Sequence, residues 1–164
     1  MIFDLHDSVK KSDLEGKIVF WDLDGTLAPF RFNGHIGDPE GSRHGMSMRE
    51  VDNGIYLSRT PSRFIKRVIK DCNAEKNLVI THCHCEREVA DKHKWLDLHF
   101  PMIKERFVID ESISKVETIV KYCGENGIDL SMVVYIDDSL HFLREAERAG
   151  IKCWHASSLF DYFD

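Results

Sequence analysis

Ile18-Val19-Phe20-Trp21-Asp22-Leu23-Asp24-Gly25-Thr26-Leu27 decides the reading of this chain. Four apolar residues run into two carboxylates placed two apart, with a glycine and a threonine immediately after. An apolar run of this length reads as a buried strand, and Gly25 marks its end. Asp22 and Asp24 then emerge where a parallel sheet opens to solvent, the position at which open α/β sheets carry their chemistry. Two neighbouring carboxylates repel, so such a pair calls for a shared proton or a cation. A turn with capping carboxylates is the plain alternative, because Asp and Gly dominate turns. A calcium loop of the EF-hand type fails on count. Its ninth and twelfth positions, counted from Asp22, are Phe30 and Asn33, where oxygen ligands and a bidentate Glu are required.

Working outward, apolar runs alternate with helical patterns, which predicts a parallel sheet flanked by helices. The first strand covers about 17–22. A helix over about 61–72 lines Phe64, Ile65, Val68, Ile69 and Cys72 on one face, with Thr60 as its cap and Pro61 at its first position. Asn77–Thr81 is the second strand, and a helix follows over about 86–98 up to Pro101. Arg106–Ile109 is the third strand. Ser114 opens the next helix with Glu117 three residues on, a capping box, and Val116, Ile119, Val120 and Cys123 face inward. Met132–Ile136 is the fourth strand and ends on Asp137-Asp138. The last helix, about 139–149, buries Leu140, Leu143 and Ala146 and stops at Gly150. Ile151–Trp154 is a fifth strand. Residues 28–59, glycine-rich and broken by Pro39, fit no regular pattern. They read as an insertion at the sheet end where Asp22 and Asp24 emerge, a natural place for a lid or specificity loop.

The 164 residues fit a single domain, 1–164, large enough for a core without staples. The net charge of −6 argues against broad binding to nucleic acid or acidic membranes. No apolar run reaches the length of a membrane span, and the first residues do not read as a signal peptide. These features predict a cytosolic chain with no membrane partner. Its five cysteines form an odd set and are expected to be reduced thiols. His82-Cys83-His84-Cys85 invites a zinc reading, but alternating ligands on an extended segment point opposite ways, and no second cluster exists.

Four polar features fall at strand ends or just after them: Asp22/Asp24, Thr81, Lys115 and Asp137/Asp138. If strands one and four are neighbours at the switch point of a doubly wound sheet, the two acidic pairs converge. An oxygen-only set without histidine partners suits Mg²⁺. Lys115 in the first turn of a helix opposes the helix dipole, so on a free surface it is a small liability. Beside an acidic crevice it offsets repulsion and can hold an anion. Thr81 is at home in any strand as a β-branched residue, yet its hydroxyl and the amide of His82 could bind an anionic oxygen. Together these are the parts of a phosphoryl-transfer pocket.

At these residues the sequence resembles the haloacid dehalogenase-like (HAD) superfamily. Asp22-Leu23-Asp24-Gly25-Thr26 is similar to its first motif, Thr81 to its second, Lys115 to its third and Asp137-Asp138 to its fourth, over residues 17–155. The resemblance implies a doubly wound, Rossmann-like α/β fold of HAD type. This is a three-layer sandwich on a five-stranded parallel sheet of order 3-2-1-4-5, with 28–59 as a minimal cap. It also implies a Mg²⁺-dependent phosphomonoester hydrolase working through an aspartyl-phosphate. Asp22 would be the nucleophile and a metal ligand. Asp24 would be the acid and base and would lend the metal its backbone carbonyl. Asp138 would be a direct metal ligand and Asp137 one acting through water, while Thr81, His82 and Lys115 would hold the phosphoryl group.

A cap of about thirty residues leaves the pocket open, suited to a sizeable substrate or to one with an accessible phosphate end, and the expected substrate is a nucleotide or another small phosphometabolite. His35, Arg43, His44 and Arg49 in the insertion could contact it. Asp91-Lys92-His93-Lys94-Trp95-Leu96 with Phe100-Pro101 is similar to a helix of the 5'(3')-deoxyribonucleotidases, although the segment is expected to lie away from the pocket. Action on protein or nucleic-acid phosphate ends, a phosphomutase, and an inactive binding module that kept the fold are the competing readings.

Overall fold

The computed structural model describes residues 8–29 and 54–164. Residues 30–53 of the expected lid, with His35, Arg43, His44 and Arg49, lie outside the described residues. The strands are β1 (Ile18–Trp21), β2 (Lys76–Cys83), β3 (Glu105–Asp110), β4 (Val133–Asp137) and β5 (Lys152–His155). All pair in parallel, in the order β3-β2-β1-β4-β5. The helices are α1 (Lys11–Leu14), α2 (Arg63–Asp71), α3 (Glu86–His99), α4 (Lys115–Asn126) and α5 (Leu140–Arg148). Among the described residues no helix is long and apolar enough to cross a membrane.

The side-chain alternation of β1 builds two cores. Val19 and Trp21 join Val79, Val134 and Ile136 beneath α2 and α3, with Val68, Trp95 and Leu96. Ile18 and Phe20 join Leu78, Ile80, Val133 and Tyr135 beneath α4 and α5, with Val116, Ile119, Leu143 and Ala146. A central parallel strand covered on both faces must be apolar throughout, which is why this stretch shows no polar alternation. The layers are therefore helices, sheet, helices, as the sequence predicts.

Local details differ from expectation. The cap of α2 is Ser62 rather than Thr60: its hydroxyl accepts from the Ile65 amide at 3.2 Å, and Pro61 precedes the helix. Val120 is 38% exposed and Leu140 43% exposed. Lys115 is buried on the inner side of α4, which turns the inward stripe toward Lys115, Val116 and Ile119 and leaves Val120 on the flank. Leu140 stands in the first turn of α5, before the helix reaches the core contacts of Leu143 and Ala146. Strand β2 runs past Thr81, because the ladder with β3 continues through His82↔Ile109 and Cys83↔Asp110.

Ser114 caps α4 by accepting from the Glu117 amide at 3.1 Å. All five cysteines are free thiols.

Candidate active site

Register places the carboxylates. Trp21 is level with Val79 on one side and Ile136 on the other, so Asp22 leaves the sheet beside Asp137. The Asp22 amide still donates to the Ile136 carbonyl at 2.8 Å, fixing the residue as an extension of β1. The chain then turns back at once: the Ala28 amide donates to Leu23 O at 2.8 Å and the Gly25 amide to Ala28 O at 3.0 Å. Gly25 has φ +83°, and a Cβ there would lie 2.0 Å from Asp138 Oδ2. Glycine is needed both for the turn and for the approach of Asp138.

Two cation-centred groups result. In the first, Lys115, 3% exposed, sends Nζ to Asp22 Oδ1 at 2.6 Å and to Asp137 Oδ2 at 3.0 Å. Asp137 also accepts from the Tyr135 hydroxyl and from the Ser139 amide. Carboxylate oxygens of Asp22, Asp137 and Asp138 lie within 4.8 Å of one another. Burial pushes the Asp22 carboxyl well above the ordinary range, and the neighbouring Asp137 charge adds to it, while Lys115 pulls it back. Asp138 is pushed up to about 6, by burial first and then by Asp137. Burial opposes the charge on Lys115, yet Asp22 and Asp137 outweigh it and raise its pKa.

In the second group Lys92, 1% exposed, reaches Asp24 Oδ2 at 2.7 Å, Glu88 Oε1 at 2.8 Å and Thr81 Oγ1 at 3.2 Å, and it also donates to the His82 carbonyl. Arg59 donates to Asp24 Oδ1 and, through Nη2, to Ala28 O at 2.6 Å. Trp95 Nε1 holds the Arg59 carbonyl at 2.8 Å, so α3 anchors both cations. The Glu88 carboxylate also accepts from the His84 amide at 2.8 Å, tying the start of α3 to the end of β2.

The expected residues Asp22, Asp137, Asp138 and Lys115 thus converge. Thr81 and His82 border the second group, the ring of His82 being engaged with the Ile113 carbonyl at 2.8 Å. The Asp24 side chain faces Arg59, Lys92 and Thr81 rather than the three-carboxylate group. Lys92 corrects the expectation that its segment lies away from the pocket. Arg59 and Lys92 were not foreseen. In the structure Glu88, Lys92, Trp95 and Leu96 share one face of α3, and all four are buried. The His82–Cys85 stretch gathers no metal group; among the described residues only Asp22, Asp137 and Asp138 do so.

No family model matches the sequence, and a search of curated proteins finds no match either. Solved structures do resemble it. A HAD family enzyme from Bacteroides thetaiotaomicron, crystallised as an aspartate-to-alanine mutant with magnesium and inorganic phosphate, superposes with TM-score 0.56 at 13% identity. The match covers 84% of this chain and 92% of that one. The fold is of HAD type. A 3-deoxy-D-manno-octulosonate 8-phosphate phosphatase from Moraxella catarrhalis, bound to magnesium, phosphate and KDO, aligns at TM-score 0.43 and 20% identity. That alignment covers 82% of this chain and 64% of the other. In the HAD-type frame of this chain, the two acidic pairs sit at the ends of the adjacent central strands β1 and β4, at the point where successive crossovers lead to opposite sides of β1.

Proposed function

We propose that this protein is a Mg²⁺-dependent phosphomonoester hydrolase that works through an aspartyl-phosphate on Asp22. The observation that carries the reading is the buried Asp22 carboxylate, paired to Lys115 at 2.6 Å and grouped with Asp137 and Asp138 at the open end of the sheet. The donor set suits the ion. It is made of oxygens only, and among the described residues the carboxylates of Asp22, Asp24, Glu88, Asp137 and Asp138 outnumber the cations Arg59, Lys92 and Lys115 by two. Asp22 and Asp138 would hold Mg²⁺ directly. Asp137 would act through water, since its oxygens already accept from Tyr135, Lys115 and Ser139. Bound there, Mg²⁺ would supply the positive charge that offsets a phosphate dianion.

The residues then divide the work. Lys115 holds Asp22 toward the phosphorus and neutralises the transferring oxygens. The phosphate takes over Thr81 and Lys92, which releases Asp24 to turn toward the leaving oxygen. Freed from Lys92, Asp24 takes up a proton from solvent; Asp22 attacks phosphorus, the ester P–O bond breaks, and the leaving oxygen takes that proton from Asp24. Asp24 then removes a proton from water, whose oxygen attacks the acyl phosphate. Inorganic phosphate departs and Asp22 is restored. Arg59 and Lys92 keep Asp24 in place between turnovers. The substrate is a small phosphoester, with nucleoside monophosphates and sugar phosphates the first classes to test. The protein acts as one domain with residues 28–59 as its lid, and its place of action is the cytosol.

Thermal melts test the metal. Millimolar Mg²⁺ should raise the midpoint relative to EDTA, because the ion binds the native cluster alone. The gain should be larger above pH 6 than below pH 5. Asp138 has a folded pKa of about 6, above its ordinary value of 3.8, so its contribution favours the metal-free fold at low pH and is lost as pH rises through 6. The ion restores what ionisation removes. Equal midpoints together with EDTA-resistant activity would overturn the reading.

Gly25→Ala tests the geometry. A methyl 2.0 Å from Asp138 Oδ2 must drive that carboxylate aside. The left-handed backbone adds about 1–2 kcal/mol of destabilisation. The variant is expected to fold, to melt a few degrees lower and to show a much reduced Mg²⁺ shift. An undiminished shift would place the ion elsewhere.

A further inference from the structure

His155 lies outside every motif that the sequence analysis used. It ends β5, level with Asp137 on β4. Its Nδ1 accepts the Ser157 amide proton at 3.1 Å, so that nitrogen is bare and the ring of a neutral histidine carries its proton on Nε2. The Ser157 hydroxyl lies against the same Nδ1 at 2.6 Å. Nε2 therefore donates to the Asp138 carbonyl, 2.9 Å away.

That carbonyl belongs to the peptide joining Asp138 to Ser139. The other end of the same peptide, the Ser139 amide, donates to Asp137 Oδ1 at 2.8 Å. The peptide plane is thus held at both ends, once from β4 and once from β5. The Asp138 carboxylate projects into the space left by the missing Cβ of Gly25. With three carboxylates within 4.8 Å, repulsion urges Asp138 outward when no ion is bound. Asp138 is the one of the three that receives no hydrogen bond from Lys115, which reaches Asp22 and Asp137 instead.

We propose that His155 is a positioning residue for the metal site, holding the Asp138–Ser139 peptide so that the Asp138 carboxylate stays beside Asp22 before the ion arrives. This rests on the Mg²⁺ reading given above. Outer partners that orient a metal ligand commonly contribute 10–100-fold in affinity.

Two substitutions separate the link to Asp138 from the capping of the turn at Ser157. His155→Asn keeps an acceptor for the Ser157 amide, since Asn is a favoured cap, but is too short to reach the Asp138 carbonyl. His155→Gln can present an amide N–H near the position of Nε2 while giving up the cap. Mg²⁺ affinity is measured by titration calorimetry, with melting of the metal-free proteins alongside. The expected result is a dissociation constant raised about tenfold or more in His155→Asn, with little change in its metal-free midpoint, and within about threefold of wild type in His155→Gln. Wild-type affinity in His155→Asn, or equal weakening in both variants, would overturn the positioning role. Wild-type protein that binds no Mg²⁺ would instead overturn the metal reading itself, and this inference with it.

Discussion

Asp22→Asn should abolish turnover while leaving the protein folded. Loss of a nucleophile commonly lowers rate by ~10⁴-fold or more. The fold is expected to tolerate the change, because two opposing effects meet at this atom. Asn removes a buried charge that burial and Asp137 both disfavour, and it loses half of an ion pair with Lys115. An amide oxygen can still accept from Lys115 Nζ. The melting midpoint without metal should therefore stay within a few degrees of wild type or rise. Acid-quenched reactions with labelled substrate add a direct readout: label should be trapped on wild-type protein and absent from the variant. Retention of a tenth of the wild-type rate would remove Asp22 from the nucleophile's role.

Lys115→Met should have the second largest effect, and it should act on stability and rate together. Methionine keeps much of the length and apolar bulk of lysine but leaves Asp22 and Asp137 facing each other without their shared cation. Removing one partner of a buried ion pair costs about 3–5 kcal/mol, because the remaining charge is uncompensated. The loss should be smaller at low pH, where protonation relieves Asp22. Rates should fall for every phosphoester alike, by about 10²–10³-fold, since the ammonium serves the group common to all of them. Measurement of kcat/KM over aryl, nucleoside and sugar phosphates decides the matter. A loss confined to one substrate class would make Lys115 a specificity contact.

Much of this arrangement could be read from the sequence because strands in a parallel sheet announce themselves. Ile18–Trp21 and Val133–Ile136 are buried on both faces and so are apolar without interruption, and the acids that follow each run had to emerge at the same sheet end. Lys92 and Arg59 were hidden for a different reason. A lysine in the middle of a charged helix reads as solvated, and only the packing of α3 against β2 carries it to Asp24. The exposure of Val120 and Leu140 has a related cause. Apolar spacing defines a stripe, but the direction in which the stripe faces depends on what else the helix must bury, and in α4 that includes the charged Lys115. His155 was invisible because its partner is a backbone carbonyl on a neighbouring strand, a relation that sequence spacing does not encode.

The alternating side chains of β1 have a bearing on how this protein can move. Four residues contribute in turn to both cores, and Asp22 continues directly from them. Neither helical layer can loosen without disturbing the strand that carries Asp22, the proposed nucleophile. Segments that open independently are those with few buried contacts, and β1 is the opposite case. The Asp22 carboxylate is thus carried by a strand anchored in both cores, so the contacts that resist global unfolding are also those that hold the proposed nucleophile in place.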